Sequence, residues 1–418
     1  MPLSSLLTSF SARPILHSMK GQINDQGASV HEPTYSFQRS RATPWQITVF
    51  FLLGILLLFA ASCHRKITYP LGFSTSLTGR GSSLGKDLYE GTLLAVEEIN
   101  QGECPFRIKL VVRDDEGEPA RALANAKEFA EMGIEVVMGY ATSALAAEVL
   151  PFLEEKKMIL LGASISSPIF DKKDDALFRI VNSSTSEARA VADHIAETFG
   201  SRIFLSIYDQ GNAAYAEAYA NTFRNRYQVR GGIVAPSIPF RTRTPPPYLE
   251  VIDEALQKEP RAEGLCVVAS SIDTAGFAQV FRQRVPEGII AVSGWAINRD
   301  LITYGGKAVE GAIIAQSYNP VDSSPGFLRF KARFQDAFGR TPSLWTIHAY
   351  ETVKYLEAAL KVRKADEPLK EALKRIRELQ GVQRKIRFDE TGDACRPLFI
   401  LTVKEGAFTL ISEREPEL

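Results

Sequence analysis

Four cysteines, five histidines and a formal net charge of zero in 418 residues remove several kinds of protein at once. Four thiols are too few to staple a chain of this length with disulfides. Cys266 sits in the apolar run LCVVA and is expected to be buried and inert, and nothing in the spacing of Cys104 and Cys395 argues that they pair. There is no CxxC and no histidine cluster, so no metal site is expected. Lys plus Arg equals Asp plus Glu, at 49 each, which leaves no basic excess for nucleic acid or an anionic surface. The chain also lacks a G-x-S-x-G elbow, a Walker loop and a G-x-G-x-x-G after its first strand. No cofactor is expected. His17, His31 and His64 lie in or beside an N-terminal segment set aside below. His194 and His348 fall in helical stretches with no neighbouring Ser or Cys to suggest a triad. One acidic pair, Asp114-Asp115, ends the second strand, where parallel sheets carry their active groups. An exported enzyme using that pair is one alternative. A loop carboxylate ahead of a helix opened by Pro119 is also favourable for dipole reasons alone.

What the chain does have is one short apolar run, Ile47 to Cys63, ITVFFLLGILLLFAASC, with Arg39 and Arg41 upstream. Basic residues, an apolar stretch, small residues and then cysteine is the order of an export signal ending in a lipid-modified cysteine, here Cys63. From Ile47 to Ala61 the run is shorter than the ~20 residues that cross a bilayer and fits a signal h-region of roughly 7–15. An uncleaved N-terminal anchor is the other reading. Either would put the rest of the chain in the periplasm or at the cell surface, attached to the membrane. Residues 1–45 read as a disordered extension or an over-called start, and 46–63 as the signal segment.

The remainder is too long for one core and suits two lobes. Short apolar runs alternate with amphipathic helices. Strands are expected at Ile67–Phe73, Ile108–Arg113, Val136–Gly139, Ile159–Gly162, Ile203–Tyr208, Gly232–Pro236, Leu265–Ala269, Ile289–Val292 and Ala312–Gln316. Leu84, Leu88, Gly91, Ala95 and Ile99 mark one buried helical face. Pro119 opens the next helix, and Gly133 stops it. The pattern implies an α/β fold of parallel sheets flanked by helices. The polar segment Ile180–Ser186 reads as a crossing between lobes. Helices Gly326–Phe338, Trp345–Val362 and Glu367–Leu379 follow. Ile386–Asp389, Leu398–Lys404 and Phe408–Ile411 read as an antiparallel meander. Lobe boundaries are expected at 64–181 plus 316–375 and at 182–315 plus 376–418.

Small hydroxyl residues gather at strand ends. Ser143, in Gly139-Tyr140-Ala141-Thr142-Ser143, sits at or near a helix N-terminus. There its hydroxyl and free N–H groups suit an anion such as a carboxylate, or simply cap the helix. Ser164 and Ser166 lie in the polar loop after the next strand.

The segments GFSTSLTGRGSSLGKDLYEGTLLAVEEIN, VVRDDEGEPARA, VVMGYATSALAAEVLP, ILLGASISSPIF, YDQGNAAYAEAY and GGKAVEGAIIAQSYNP resemble, in order and spacing, the branched-chain amino-acid (Leu/Ile/Val) binding proteins. These are type I periplasmic solute-binding proteins of ABC importers, and the likeness covers essentially all of Lys66–Leu418. It implies two Rossmann-like lobes joined by a three-strand hinge, closing on a small carboxylate or amino-acid-like ligand, with an ABC permease as partner. It implies that Ser143 takes the ligand carboxylate, that the Ser164 carbonyl and Ser166 face its ammonium, and that Tyr215 closes over it. Leu84 stands where leucine-binding members carry an aromatic residue. Trp295 stands where they present an acid to the ammonium; Asp209 or Asp273 could replace that acid from another loop. A carboxylate grip beside Tyr140, Tyr215 and Trp295 suits an apolar or aromatic carboxylate at least as well as an amino acid. A ligand sensor of the same fold, signalling to a partner protein, is a further alternative.

Overall fold

The structure is a computed structural model that describes Trp45, residues 66–79 and residues 81–415. The export segment 46–63 and Cys63 lie outside the described residues, as does the extension apart from Trp45. Among the described residues no helix is long and apolar enough to cross a membrane. The described residues from Lys66 onward form one compact unit.

Within it, β1 (Ile67–Thr75), β2 (Phe106–Asp114), β3 (Val136–Gly139), β4 (Ile159–Gly162) and β5 (Leu177–Arg179) form the first sheet. It is five-stranded, in the order β2-β1-β3-β4-β5, and every pairing is parallel. Each residue of β3 and β4 is buried, which is why these strands read as continuous apolar runs and not as alternations. The crossover helices are α1 (Ser82–Gln101), α2 (Pro119–Glu131) and α3 (Ser143–Glu155). The expected stripe Leu84, Leu88, Gly91, Ala95 and Ile99 on α1 is buried throughout. Pro119 occupies the first turn of α2, and Gly133 follows it at φ +70°.

After β5 the chain passes through residues 180–183 into α4 (Ser184–Phe199) and then a second sheet. Here β6 (Ile203–Asp209), β7 (Ile233–Val234), β8 (Ile238–Phe240), β9 (Gly264–Val268), β10 (Ile289–Val292) and β11 (Ile313–Gln316) alternate with α5 (Ala213–Val229), α6 (Tyr248–Lys258), α7 (Ser271–Arg284) and α8 (Arg299–Gly305). The chain then returns through α9 (Pro325–Phe338), α10 (Leu344–Val362) and α11 (Leu369–Arg375). Helix α10 lies so close to α1 that a Cβ on Gly91 would stand 2.1 Å from the Thr346 carbonyl oxygen. Strands β12 (Glu378–Gln380), β13 (Lys385–Phe388) and β14 (Ala394–Cys395) form a small antiparallel sheet. Finally β15 (Leu398–Lys404) and β16 (Ala407–Arg414) add antiparallel strands to the second sheet, giving β16-β15-β11-β10-β9-β6-β7 with β8 also against β6.

Three expectations change in detail. The helix expected over Glu367–Leu379 is shorter, because Glu378–Gln380 pairs with β13. The C-terminal meander is antiparallel but divided: β13 belongs to the small sheet, while β15 and β16 extend the second sheet. The strand expected at Gly232–Pro236 reduces to Ile233–Val234. Cys104 and Cys266 are buried and Cys395 half-buried, and none of these is in a disulfide.

The connections between the sheets are stitched by side chains acting as backbone. Asn182 Nδ2 donates to the Arg396 carbonyl at 2.9 Å while Arg396 N–H donates to Asn182 Oδ1 at 2.8 Å. Asn319 and Gln383 exchange the same reciprocal pair at 3.0 and 2.6 Å. Arg396 Nη1 also meets Glu351 Oε2 at 2.7 Å, with both side chains only 2% exposed. Glu351 Oε1 accepts from Val382 N–H at 2.6 Å. Arg396 Nη1 also donates to the Ile180 carbonyl at 3.2 Å, so each side chain is hydrogen-bonded beyond the pair, the condition under which a buried ion pair persists.

Candidate functional site

The carboxyl ends of the parallel strands in both sheets face one cavity, as open α/β sheets place their ligands. Its volume is only about 10 Å³, and it is lined by Leu84, Ala141, Thr142, Ser143, Ser164, Ser166, Asn212, Tyr215, Trp295, Gln316 and Trp345. That is far below the roughly 300–1,000 Å³ of an open ligand site, so the walls stand nearly shut on each other. A larger recess of about 740 Å³ lies elsewhere, between α9, α10 and β12. Its charged walls include the Arg333–Glu98 and Lys361–Glu357 pairs, and it reads as a solvated surface groove.

Six residues singled out from the sequence meet in the cavity: Leu84, Ser143, Ser164, Ser166, Tyr215 and Trp295. Tyr140 does not. It is fully buried in the core beside α2 and α3, and its hydroxyl donates to the Ala122 carbonyl at 3.3 Å. The chain bends after Gly139, whose backbone approaches Ser74 so closely that a Cβ would stand 2.1 Å from its carbonyl oxygen. Only the Tyr140 carbonyl turns toward the site, where it accepts from Ser164 Oγ at 3.1 Å.

Ser143 is not the cap of its helix. Thr142 is, accepting from Leu145 N–H at 3.3 Å. The Ser143 hydroxyl instead accepts from Ser167 N–H at 3.2 Å. The next N–H of the helix, that of Ala144, donates to Asn212 Oδ1 at 3.1 Å. Asn212 comes from the turn after β6 in the opposite lobe, so the start of α3 already receives an oxygen from across the cleft. Ser167 Oγ likewise donates to the Ala214 carbonyl. The two walls therefore touch.

On the second-lobe side, the rings of Tyr215 and Trp295 meet edge-on, with centroids 6.0 Å apart and an interplanar angle of 78°. Gln316 ends β11 and Trp345 begins α10; neither was legible as a site residue, nor was Asn212. The Trp345 indole Nε1 is buried without a hydrogen-bond partner. Among the described residues, no charged side chain lines the cavity. Asp209 and Asp273, considered as replacement acids, are engaged elsewhere. Asp209 accepts from Gly211 N–H at 2.8 Å, and Asp273 from Tyr248 and Ser270 at 2.9 and 2.7 Å.

The enzyme candidates are likewise committed to structure. Asp115 is fully buried and accepts from Ser74, Ser76 and Gly117 N–H at 3.1, 2.9 and 3.0 Å. Burial raises its pKa. Asp114 is taken by Leu77 N–H at 2.9 Å and the Thr78 hydroxyl at 2.6 Å. Both carboxylates shape the loop ahead of α1. His348 does find a serine, with Ser317 Oγ 3.2 Å from its Nε2. The pair is buried and lines neither of the two spaces described above, and burial holds the imidazole pKa well below its ordinary value.

Two α/β sheets meeting across an uncharged closed cavity define a bilobal solute-binding scaffold. The sequence profile of the periplasmic binding protein family matches residues 68–407, and the chain belongs to that family. It is similar to the Leu/Ile/Val-binding protein BraC3 of Rhizobium johnstonii, with 25% identity over 370 residues, covering 85% of this chain and 96% of the relative. Among solved structures, the leucine binding protein LivK of Thermotoga maritima superposes with a TM-score of 0.75 at 22% identity, covering 83% of this chain and 99% of that one. A solute binding protein of an ABC transporter from Rhodopseudomonas palustris, in complex with 3,4-dihydroxybenzoic acid, gives 0.75 at 17% identity, covering 84% and 98%.

Proposed function

We propose that the chain is an extracytoplasmic solute-binding protein of an ABC importer, lipid-anchored through Cys63 or held by an N-terminal helix. It binds a small carboxylate or amino-acid-like solute between lobes 64–181 plus 316–375 and 182–315 plus 376–418. The observation that carries this reading is the start of α3. Its Ala144 N–H reaches an oxygen acceptor across the cleft, and the Ser143 hydroxyl stands beside it, free of any capping duty. A ligand carboxylate has the same chemistry as the Asn212 oxygen and more charge, and helix N-termini favour anions. The Trp345 indole N–H offers a further donor.

The ligand docks first on the wall that carries Ser143, Ser164 and Ser166. The opposite lobe then swings in, bringing Tyr215 and Trp295 to its other face. Because the ligand contacts both walls only when closed, it shifts the population toward that form, which the membrane permease recognises.

Isothermal calorimetry with leucine, 4-methylpentanoate, 2-hydroxy-4-methylpentanoate and benzoate tests the reading. Binding of at least one carboxylate, weakened by Ser143→Ala, is expected. No heat from any of them, and no rise in melting temperature at millimolar ligand, would refute it.

A further inference from the structure

Behind Tyr215 and Gln316 lies a group of polar side chains that the carboxylate grip leaves unused. Glu187, in the first turn of α4, is 3% exposed. Its Oε2 has no hydrogen-bond partner, and neither do the Tyr215 hydroxyl, the Tyr219 hydroxyl or Ser293 Oγ. Tyr215 is 4% exposed, and Tyr219 and Ser293 are fully buried. Folded cores pair nearly all such atoms, so several orphans in one neighbourhood ask for an explanation. They do share a neighbourhood. A Cβ on Gly294 would stand 1.9 Å from Gln316 Nε2 and 2.9 Å from Glu187 Oε2, so the backbone beside Ser293 presses against both groups. The Tyr215 and Tyr219 rings lie 5.9 Å apart. Ser293 and the Trp295 backbone sit near the Tyr215 hydroxyl and favour its ionisation slightly, without reaching hydrogen-bond geometry.

Two of these residues belong to the cavity as well. Tyr215 and Gln316 line it, while Glu187 and Ser293 stand behind them, around Gly294, so the group forms the rear of the cavity wall on the second-lobe side. A buried acid can serve there as counter-charge to a cation or as an uncharged hydrogen-bonding group. Burial pushes the Glu187 carboxyl well above its ordinary range, and the Gln316 amide beside it opposes this only in part. A buried carboxyl with no cation paired to it favours its neutral form, and a neutral carboxyl both donates and accepts.

We infer that Glu187, Tyr215, Ser293 and Gln316 form a second polar subsite at the second-lobe end of the cleft, which takes an uncharged hydroxyl on the far end of the solute. The preferred solute is then a hydroxy acid, ahead of its unsubstituted parent and of an analogue with a cationic group in the same place. This rests on the carboxylate reading above and names the solute class for that site.

Calorimetry on the whole protein with benzoate, 4-hydroxybenzoate, 4-(aminomethyl)benzoate and leucine tests it. In the unmodified protein 4-hydroxybenzoate should bind at least tenfold tighter than benzoate, and the cationic analogue weaker than either. Glu187→Gln, which still donates and accepts, should keep that advantage. Glu187→Met and Ser293→Ala should reduce it below threefold while leaving benzoate within twofold. If Glu187→Met does not fold, Ser293→Ala alone carries the comparison. Equal binding of benzoate and its hydroxylated form overturns the subsite, as does preference for the cationic analogue with loss in Glu187→Gln. If leucine or benzoate binds and hydroxylation adds nothing, the subsite falls and the carboxylate reading stands. If none of the probes binds, both fall.

Discussion

Thr142 and Ser143 are adjacent and chemically alike, yet they should fail in different assays. Thr142 caps α3, its side chain accepting from Leu145 N–H at 3.3 Å. Removing such a cap costs about 0.5–2 kcal/mol of stability. Ser143 lies one residue inside the helix, so Ser143→Ala leaves the cap intact. The variant loses instead the hydroxyl that faces the cavity. A hydrogen bond to a charged group is worth about 1.5–3 kcal/mol, which corresponds to a roughly 10- to 150-fold loss of affinity for a carboxylate. Ser143→Ala also strips Ser167 N–H of its acceptor at 3.2 Å, so a stability loss of about 1 kcal/mol accompanies it. Calorimetry gives the affinity and urea unfolding gives the stability, both on the same preparations. Thr142→Ala should lower the unfolding midpoint and leave affinity within about threefold. Affinity unchanged within twofold in Ser143→Ala, or weakened more by Thr142→Ala than by Ser143→Ala, would refute the assignment of an anion to the start of α3.

Other perturbations read other parts of the argument. Asn212 and Ser167 are the side chains that bridge the walls; the double variant Asn212→Ala/Ser167→Ala should raise the radius of gyration of the unliganded protein in small-angle scattering, and an unchanged value would show that these contacts do not hold the lobes together. Glu351→Ala leaves Arg396 buried and unpaired, so urea unfolding should show a loss of about 3–5 kcal/mol, with a loss under 1 kcal/mol counting against the pair as a structural knot. Trp295→Glu places an acid on the cavity wall and should strengthen leucine binding at least tenfold, about 1.4 kcal/mol; weaker leucine binding in that variant would argue that the ligand never brings an ammonium to this wall.

The parallel strands were legible because burial on both faces writes them as short apolar runs; β3, β4 and β10 match the residues read from sequence. The crossover helices were legible from their stripes and from Pro119 and Gly133. Strands β5, β8, β12 and β14 carry only two or three residues each, too few to show a period. The first-lobe half of the cavity was readable because Ser143, Ser164 and Ser166 follow strands in sequence. Asn212, Gln316, Trp345 and Glu187 were not, because they reach the cavity or its rear wall only through tertiary packing. Glu187 in particular looks like an ordinary acid in a helix's first turn, and nothing local says that it is buried. Tyr140 erred in the opposite direction: it sits in the right loop, and the loop's bend sends its side chain into the core.

The cavity treats the two ends of an amino acid unequally. A carboxylate entering it meets the start of α3, the Ser143 hydroxyl and the Trp345 indole N–H, all of them donors. An ammonium needs acceptors or a negative charge. The Tyr140 and Ala141 carbonyls share the Ser164 hydroxyl, at 3.1 and 3.2 Å, and each keeps a second lone pair. Among the described residues no carboxylate lines the wall. Sealing a cation there gives it neutral acceptors but no counter-charge, and an unpaired buried charge is strongly unfavourable. The same closure leaves an anion well solvated by donors. Under the proposed pose 4-methylpentanoate is expected to bind more tightly than leucine, and equal or tighter binding of leucine in calorimetry would refute that account of the cleft.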